Sequence, residues 1–282
     1  MWLWLSVSSA LLLGIYDVAK KQALKRNGVY WILVCSTALT ALFLTPFLSK
    51  GPFSDHLLLM LKAVLVSASW ISGLIAMKLI PLTTVSTIKG SRPVFVVLLS
   101  IIIYGERLNW MQWSGIALAL LALYLLGRTS RSDGTVKARR TGFIWMGVSV
   151  VTGVASALYD KHLIAGMEPL FVQCWTNLFI TIILAICVGV SLLASKSETP
   201  RSFQWDWMLV VVAVLITGAD ALYFFSLKEP GALLSVISVI RRGSVLVTFI
   251  FGAILFKEGN IRAKGLNMLL MAAGVVLLLI GS

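Results

Sequence analysis

The chain has 282 residues, of which 59% are hydrophobic and only 12% are charged, and its mean hydropathy is +0.95. A soluble domain carries about 25% charged residues, so a soluble globular enzyme of this composition would expose much apolar surface to water. The 24 Lys and Arg residues outnumber the 11 Asp and Glu residues, which is typical of basic loops beside anionic lipid headgroups. No basic stretch is both long and interleaved with aromatic residues, so we expect no nucleic-acid partner.

Apolar runs of about the 20 residues needed to cross a bilayer recur along the whole chain. They predict ten transmembrane helices with short loops, at residues 2–22, 30–48, 57–79, 82–104, 110–127, 142–163, 170–194, 207–227, 231–256 and 265–281. Trp and Tyr gather at the predicted helix ends, as an interfacial belt requires. The first run lacks a positively charged segment before it, so no cleavable signal is predicted. The predicted fold class is an all-α integral membrane protein.

The longest polar connection, the basic loop at residues 128–140, divides the chain into two predicted five-helix halves, 1–127 and 141–282. Because each half has an odd number of spans, two similar halves must lie in opposite orientations in the membrane. That arrangement is the inverted repeat of secondary transporters, whose substrate site lies near the midplane where the repeats meet.

Polar residues match between the two halves, which a general excess of Leu, Val and Ile would not explain. A shift of 152 residues aligns 85–108 with 237–260, and a shift of 143 aligns Tyr16-Asp17 with Tyr159-Asp160. The larger shift superposes the following polar pairs: Ser86 on Ser238, Lys89 on Arg241, and Glu106 on Glu258. We therefore predict that the ten helices form two inverted five-helix repeats.

Five charged side chains fall well inside predicted spans: Lys89, Arg92, Asp220, Arg241 and Arg242. Each costs about 2.5–3.5 kcal/mol at the centre of a helix on insertion scales, so their presence needs a reason. One interpretation pairs them internally, for example Arg242 with Asp220, as structural contacts between helices. The other turns part of the cluster, above all Lys89 and Arg241, toward a cavity where it binds an anion, with Arg92 or Arg242 partly structural.

Two further clusters lie toward the ends of spans one and six. Asp17 precedes Lys20 and Lys21, and Asp160 adjoins Lys161. Their spacing allows local ion pairing near the membrane surface, and it equally allows a role in gating or proton coupling. Asp220 is a third candidate for that role.

The number of spans, the repeat and a glutamate closing spans four and nine (YGERL and FKEGN) resemble the drug/metabolite transporter superfamily. The segments TVSTIKGSRPVFVVLLS and SVISVIRRGSVLV are similar to the motifs of spans four and nine in its triose-phosphate and nucleotide-sugar branch. In members that translocate phosphate, these basic residues clamp the phosphate. The resemblance therefore implies that Lys89, Arg241 and Arg242 bind substrate, with Tyr223 as the nearest candidate for a contributing tyrosine of span eight. The short chain is also similar to the EamA branch, which exports amino acids and other metabolites.

We expect a secondary active transporter that exchanges a small, phosphorylated organic anion by alternating access through a central cationic site. The alternative is a proton-coupled exporter of amino acids or other small metabolites. The chain has no H-E-x-x-H or Walker A motif, so neither an enzyme nor a primary ATP-driven pump is expected. Three cysteines and two histidines offer no metal spacing, so no metal or cofactor is predicted.

The expected partners are a small anionic substrate and the lipid bilayer, with the chain acting as a monomer or homodimer. The expected location is a bacterial inner membrane, with an organelle membrane as the alternative. The distribution of Lys and Arg among the loops would place both termini outside, whereas the superfamily usually places them in the cytoplasm, so the orientation stays open.

Overall fold

The structure, a computed structural model, describes residues 1–23, 26–27, 29–79, 88, 92–129, 140–194, 203–244, 246–248, 250–251 and 261–281. This part contains ten α-helices: α1 (Trp2–Ala23), α2 (Val29–Leu44), α3 (Phe53–Leu79), α4 (Arg92–Tyr104), α5 (Trp110–Thr129), α6 (Arg140–Gly166), α7 (Pro169–Ala194), α8 (Trp207–Lys228), α9 (Leu234–Arg242) and α10 (Ile261–Ile280). A 3₁₀ turn, Thr45–Phe47, extends α2. The described residues contain no strand, and the all-α prediction is confirmed.

The helices have the composition of membrane-spanning segments. Five of them contain stretches long and apolar enough to cross a membrane: Trp2–Lys20, Phe53–Gly73, Arg140–Gly166, Pro169–Val190 and Trp207–Lys228. The apolar side chains of α4 divide between a buried face and an exposed face. Val96 and Val97 are buried, whereas Phe95, Leu98 and Ile102 are exposed. Exposed apolar side chains on a lengthwise helix face are what lipid contact requires.

The ninth predicted span is interrupted in the structure. Residues 231–256 were predicted as one helix, but α9 ends at Arg242 and Gly243 follows as its C-cap. The Gly243 amide donates to the carbonyl of Ile240 at 2.8 Å, three residues back, so the helix tightens into a 3₁₀ turn here. Helical backbone resumes at Ser244. The basic pair of span nine therefore occupies a helix C-terminus, where the helix dipole favours cations.

Helices pair across the two halves in reciprocal sets. α1 packs along α8 and α3 along α6; α2 contacts α8 and α7 contacts α3; α1 contacts α9 and α6 contacts α4. The remaining major pairings, α5 with α10, α4 with α9 and α2 with α7, join helices of the same rank in each half. These are the pairings that two equivalent halves require. The inverted repeat itself stays a prediction.

The two ends of the bundle differ in the helix termini that they carry. The Glu106 end carries the N-termini of α1 and α9 and the C-terminus of α8; the Ser226 hydroxyl donates to the carbonyl of Trp2 there at 3.0 Å. The opposite end, the Lys20 end, carries the C-terminus of α1 and the N-terminus of α2.

Candidate functional site

A cavity of about 630 Å³ lies between helices of both halves, with walls contributed by α1, α2, α3, α4, α6, α8 and α9. Its lining includes Lys20, near the Lys20 end, and extends inward past Arg92 to Tyr223 and Leu234. Its size falls within the range of about 300–1,000 Å³ typical of small-molecule sites.

The ionisable lining of this cavity is mainly cationic. Four cations and two carboxylates face it, which gives these side chains a net charge of +2: Lys20, Arg92, Arg241, Arg242, Asp17 and Asp220. Tyr223 lines it as well. The structure thus brings together five of the predicted site residues that carry charge, and a tyrosine predicted to contribute. Lys89 lies outside the described residues.

Arg241 is held from two directions. Its guanidinium forms an ion pair with Asp220 of α8, and it lies over the ring of Tyr223, 4.2 Å from the ring centroid. The pairing of Arg242 with Asp220 that was considered from the sequence is therefore wrong. Adjacent helical residues point about 100° apart, and the rotation of α9 turns Arg241, not Arg242, toward α8.

Arg242 follows Arg241 on the cavity wall, yet its surroundings differ. Within the described parts of the chain, its guanidinium has neither an ion-pair partner nor a hydrogen bond. Asp17 of α1 is the carboxylate whose charge acts on it. Arg242 therefore offers whatever enters the cavity a guanidinium that has no hydrogen-bond partner among the described residues.

Arg92 is fastened to the wall. It donates to the Ser69 hydroxyl at 2.9 Å, to the Ser149 carbonyl at 2.7 Å and to the Ser149 hydroxyl at 2.8 Å. The two serines bond each other's carbonyls reciprocally across α3 and α6. Gly153 makes room for the guanidinium, since a Cβ at that position would lie 2.8 Å from Arg92 Cζ. The hydrogen bonds fix this charge in place without neutralising it.

A second ion pair lies beneath the cavity. Asp160 of α6 pairs with Lys62 of α3, and both side chains are almost fully buried. The Tyr223 hydroxyl donates to Asp160 Oδ2 at 3.2 Å. Sequence reasoning missed Lys62, although a lysine inside the run LLLMLKAVLV carries the same signal as the cations of spans four and nine.

Lys161 points away from Asp160 and bonds Glu106, with Nζ 2.6 Å from Oε1. Glu106 also accepts from the amides of Leu234 (2.7 Å) and Ser235 (3.1 Å). Burial raises the pKa of Glu106, but the hydrogen bonds from Lys161 and Ser235 and the charge of Lys161 outweigh it, so this pKa lies below its ordinary value.

The two charged clusters at the ends of α1 and α6 thus behave differently. Asp160 pairs with Lys62 on α3, and Lys161 pairs with Glu106 in the connection between α4 and α5, so local pairing does not describe them. On α1, Lys20 donates to the Tyr16 hydroxyl at 3.1 Å, and Asp17 lines the cavity. The side chain of Lys21 lies outside the described part of the structure.

A family model described as the EamA-like transporter family matches residues 1–128. This part of the chain is similar to members of that family. The predicted drug/metabolite transporter superfamily is thereby confirmed, and the chain is an integral, multi-pass membrane transporter of small molecules. Members of the family are transporters, not enzymes.

The fold is shared with solved structures. One such structure, a crystal structure of a protein, is 15% identical to this chain in sequence and superposes with a TM-score of 0.79. The match covers 100% of this chain and 99% of the other chain. At this identity the likeness concerns the fold alone. No curated protein matches the sequence.

Proposed function

We propose that this transporter exchanges small organic anions, phosphorylated ones in particular, by alternating access. The observation that carries the proposal is the net charge of +2 on the cavity lining, with the Arg242 guanidinium unpaired among the described residues. A phosphate monoester carries about −1.5 to −2 charges near pH 7, so it would neutralise this lining. Guanidinium groups also match phosphate oxygens in bidentate geometry.

The proposed binding residues have distinct roles. Arg242 meets the anion directly, since it has no described protein partner to give up. Arg241 joins when the anion competes with Asp220 for its guanidinium. Arg92, already bonded to Ser69 and Ser149, contributes its charge from a fixed position, and its buried Nε has no hydrogen-bond partner among the described residues.

Exchange follows from the charge of the empty site. Closing an unoccupied cavity around a net +2 brings like charges together away from water, which is unfavourable in a low dielectric. The loaded carrier avoids this cost, so return with a second anion is favoured over return empty. We propose that 1–127 and 141–282 are the inverted repeats that move against each other around the site; the reciprocal helix pairings support this.

The Arg241–Asp220 ion pair also favours a second candidate, the proton-coupled exporter of amino acids or other small metabolites. There, part of the basic cluster is neutralised within the protein, and Asp220 or Asp17 takes up a proton during the cycle. Transport driven by a pH gradient and substrates without net negative charge would distinguish this candidate from anion exchange.

The test is binding to purified protein in detergent. Inorganic phosphate, a phosphate monoester, a dicarboxylate, a zwitterionic amino acid and an organic cation are compared by the rise in melting temperature that native-state binding causes. We expect phosphate compounds to stabilise the wild type and Arg242→Ala to weaken their binding about ten-fold or more, because a charge-assisted bond is lost. Arg140→Ala, an exposed arginine at the start of α6, is the matched control. Stabilisation by the zwitterion or the cation alone would overturn the proposal.

A further inference from the structure

The buried ion pair between Lys62 and Asp160 has no role in the proposed binding step, and it does not line the cavity. The side chains are only 4% and 9% exposed. The Lys62 ammonium also lies 4.6 Å from the centroid of the Phe224 ring. Removing two charges from water is expensive, and replacing a buried pair with apolar side chains is often neutral or stabilising. Stability alone therefore does not account for the pair.

The position of the pair supplies a reason. Tyr223 stands directly between it and the cavity: its hydroxyl donates to Asp160, while its ring supports the Arg241 guanidinium. Four helices, α3, α6, α8 and α9, contribute one member each to the series Lys62, Asp160, Tyr223 and Arg241. The Tyr223 side chain thus links the buried pair to Arg241 on the cavity wall.

Tyrosine is suited to this connection because its side chain has few rotatable bonds and ends in a rigid ring that carries the hydroxyl. A hydroxyl tied to a carboxylate that is itself held by Lys62 fixes the tilt of the ring, and the ring face then sets where the guanidinium rests. When an anion replaces Asp220 as the partner of Arg241, the Tyr223 ring is the described contact that still holds the guanidinium in place.

We propose that Lys62 and Asp160 are positioning residues for the anion site: through the Tyr223 hydroxyl they hold the ring on which Arg241 is presented to the substrate. This inference rests on the proposed anion-binding function and deepens it. It assigns specificity for the anion partly to two residues that never touch it.

The pair can be removed without leaving an orphaned charge. In Lys62→Met/Asp160→Leu, apolar side chains of similar size replace both partners, so we expect the melting temperature to stay close to that of the wild type. We expect affinity for a phosphate monoester, measured by titration calorimetry, to fall about five- to ten-fold. Wild-type affinity in this folded variant would mean that the pair is structural only and would overturn the proposal.

A second variant acts on the connection itself and keeps the pair intact. Tyr223→Phe retains the ring beneath Arg241 but loses the hydrogen bond to Asp160, and we expect a comparable loss of affinity. Tyr104→Phe is the matched control. The Tyr104 hydroxyl donates to the carbonyl of Leu158 at 2.5 Å, and Tyr104 does not line the cavity. If Tyr223→Phe binds like the wild type, the proposal fails even where the double variant does not fold.

Combining the changes separates a shared path from two independent effects. Adding Tyr223→Phe to Lys62→Met/Asp160→Leu should cost no further affinity if the pair acts through the hydroxyl, whereas additive losses contradict the proposal. Failure of the proposed function is recognised separately, because the wild type would then bind none of the anionic probes, whatever the variants do.

Discussion

Lys161 of α6 forms an ion pair with Glu106, which lies in the connection between α4 and α5, with 2.6 Å between Nζ and Oε1. The same carboxylate accepts from the first two amides of α9, Leu234 and Ser235. Leu233, the N-cap residue, makes no side-chain cap. Glu106 therefore caps α9 from another part of the chain and ties it to α6, and α9 is the helix whose far end carries Arg241 and Arg242.

The depressed pKa of Glu106 predicts a loss of stability in acid. A carboxyl whose pKa is lower in the folded state contributes stability that is fully present above its ordinary value of 4.5 and is lost as the pH falls through the folded-state pKa. Glu106→Gln should lower the stability at pH 7 by about 2 kcal/mol, because the partly buried ammonium of Lys161 keeps its charge without a counterion. The gap between wild type and variant should close below about pH 4.5. Melting temperatures in detergent across this pH range measure it.

Glu168→Gln is the control for this prediction. Glu168 is exposed at the same end of the bundle, where α7 begins. The Glu168→Gln variant should have the melting temperature of the wild type at every pH. A pH-independent gap for Glu106→Gln would show that the ion pair with Lys161 is not what stabilises α9.

A side chain at position 153 should clash with the guanidinium of Arg92. A Cβ here would lie 2.8 Å from Arg92 Cζ and 2.9 Å from Ser69 Oγ, so Gly153→Ala must displace the guanidinium or separate α3 from α6. Gly147→Ala, on the same helix, meets nothing within 4 Å. We expect Gly153→Ala to be less stable than Gly147→Ala by about 2 kcal/mol, measured as melting temperature or denaturant midpoint. Equal stabilities would show that Arg92 moves aside freely.

The helices α5 and α10 pack closely at two glycines, Gly115 and Gly274. A Cβ on Gly115 would lie 2.8 Å from the carbonyl oxygen of Gly274, and one on Gly274 would lie 2.9 Å from that of Gly115. Backbone atoms cannot rotate away as side chains can, so Gly115→Ala should push the helices apart at a cost of about 2 kcal/mol. Gly189→Ala on α7, which meets nothing within 4 Å, should be neutral in the same melting assay. A neutral Gly115→Ala would contradict the close packing.

Hydropathy and charge alone account for much of the fold and part of the site. The predicted spans 2–22 and 207–227 differ from α1 and α8 by one residue at one end, because an apolar run of membrane length has few other options. Arg241, Arg242 and Asp220 were identified by the cost of a charge in a span. Hydropathy did not reveal the break at Gly243, since the run 231–256 as a whole is apolar enough to be interpreted as one span.

Relations between helices were beyond the same reasoning. Which arginine meets Asp220 depends on the rotation of α9 against α8, and no single-chain pattern records it. Ser69 and Ser149 gave no signal, because serine is common in membrane helices as a small packing residue. Asp160 and Lys161 look like a local pair by spacing, yet adjacent residues diverge by about 100° and reach different partners.

The competition between Asp220 and the substrate for Arg241 gives the last prediction. Asp220→Asn removes the carboxylate and raises the net charge of the described lining from +2 to +3. The bound anion then no longer has to displace a counterion, while the Tyr223 ring continues to support the guanidinium. We expect phosphate-monoester affinity to rise about five-fold by titration calorimetry, with little change in stability, because both partners of this pair are partly exposed.

Asp55→Asn makes the same change in charge on the first turn of α3, away from the cavity, and should leave anion affinity unchanged. A drop in affinity in Asp220→Asn would mean that Asp220 orients Arg241 for the anion instead of competing with it.

The Asp220→Asn variant also distinguishes the two transport mechanisms. If Asp220 carries the proton of an exporter, Asp220→Asn should abolish uptake driven by a pH gradient in liposomes, whereas anion exchange between loaded liposomes should continue, because exchange needs the arginines and not a titrating carboxylate.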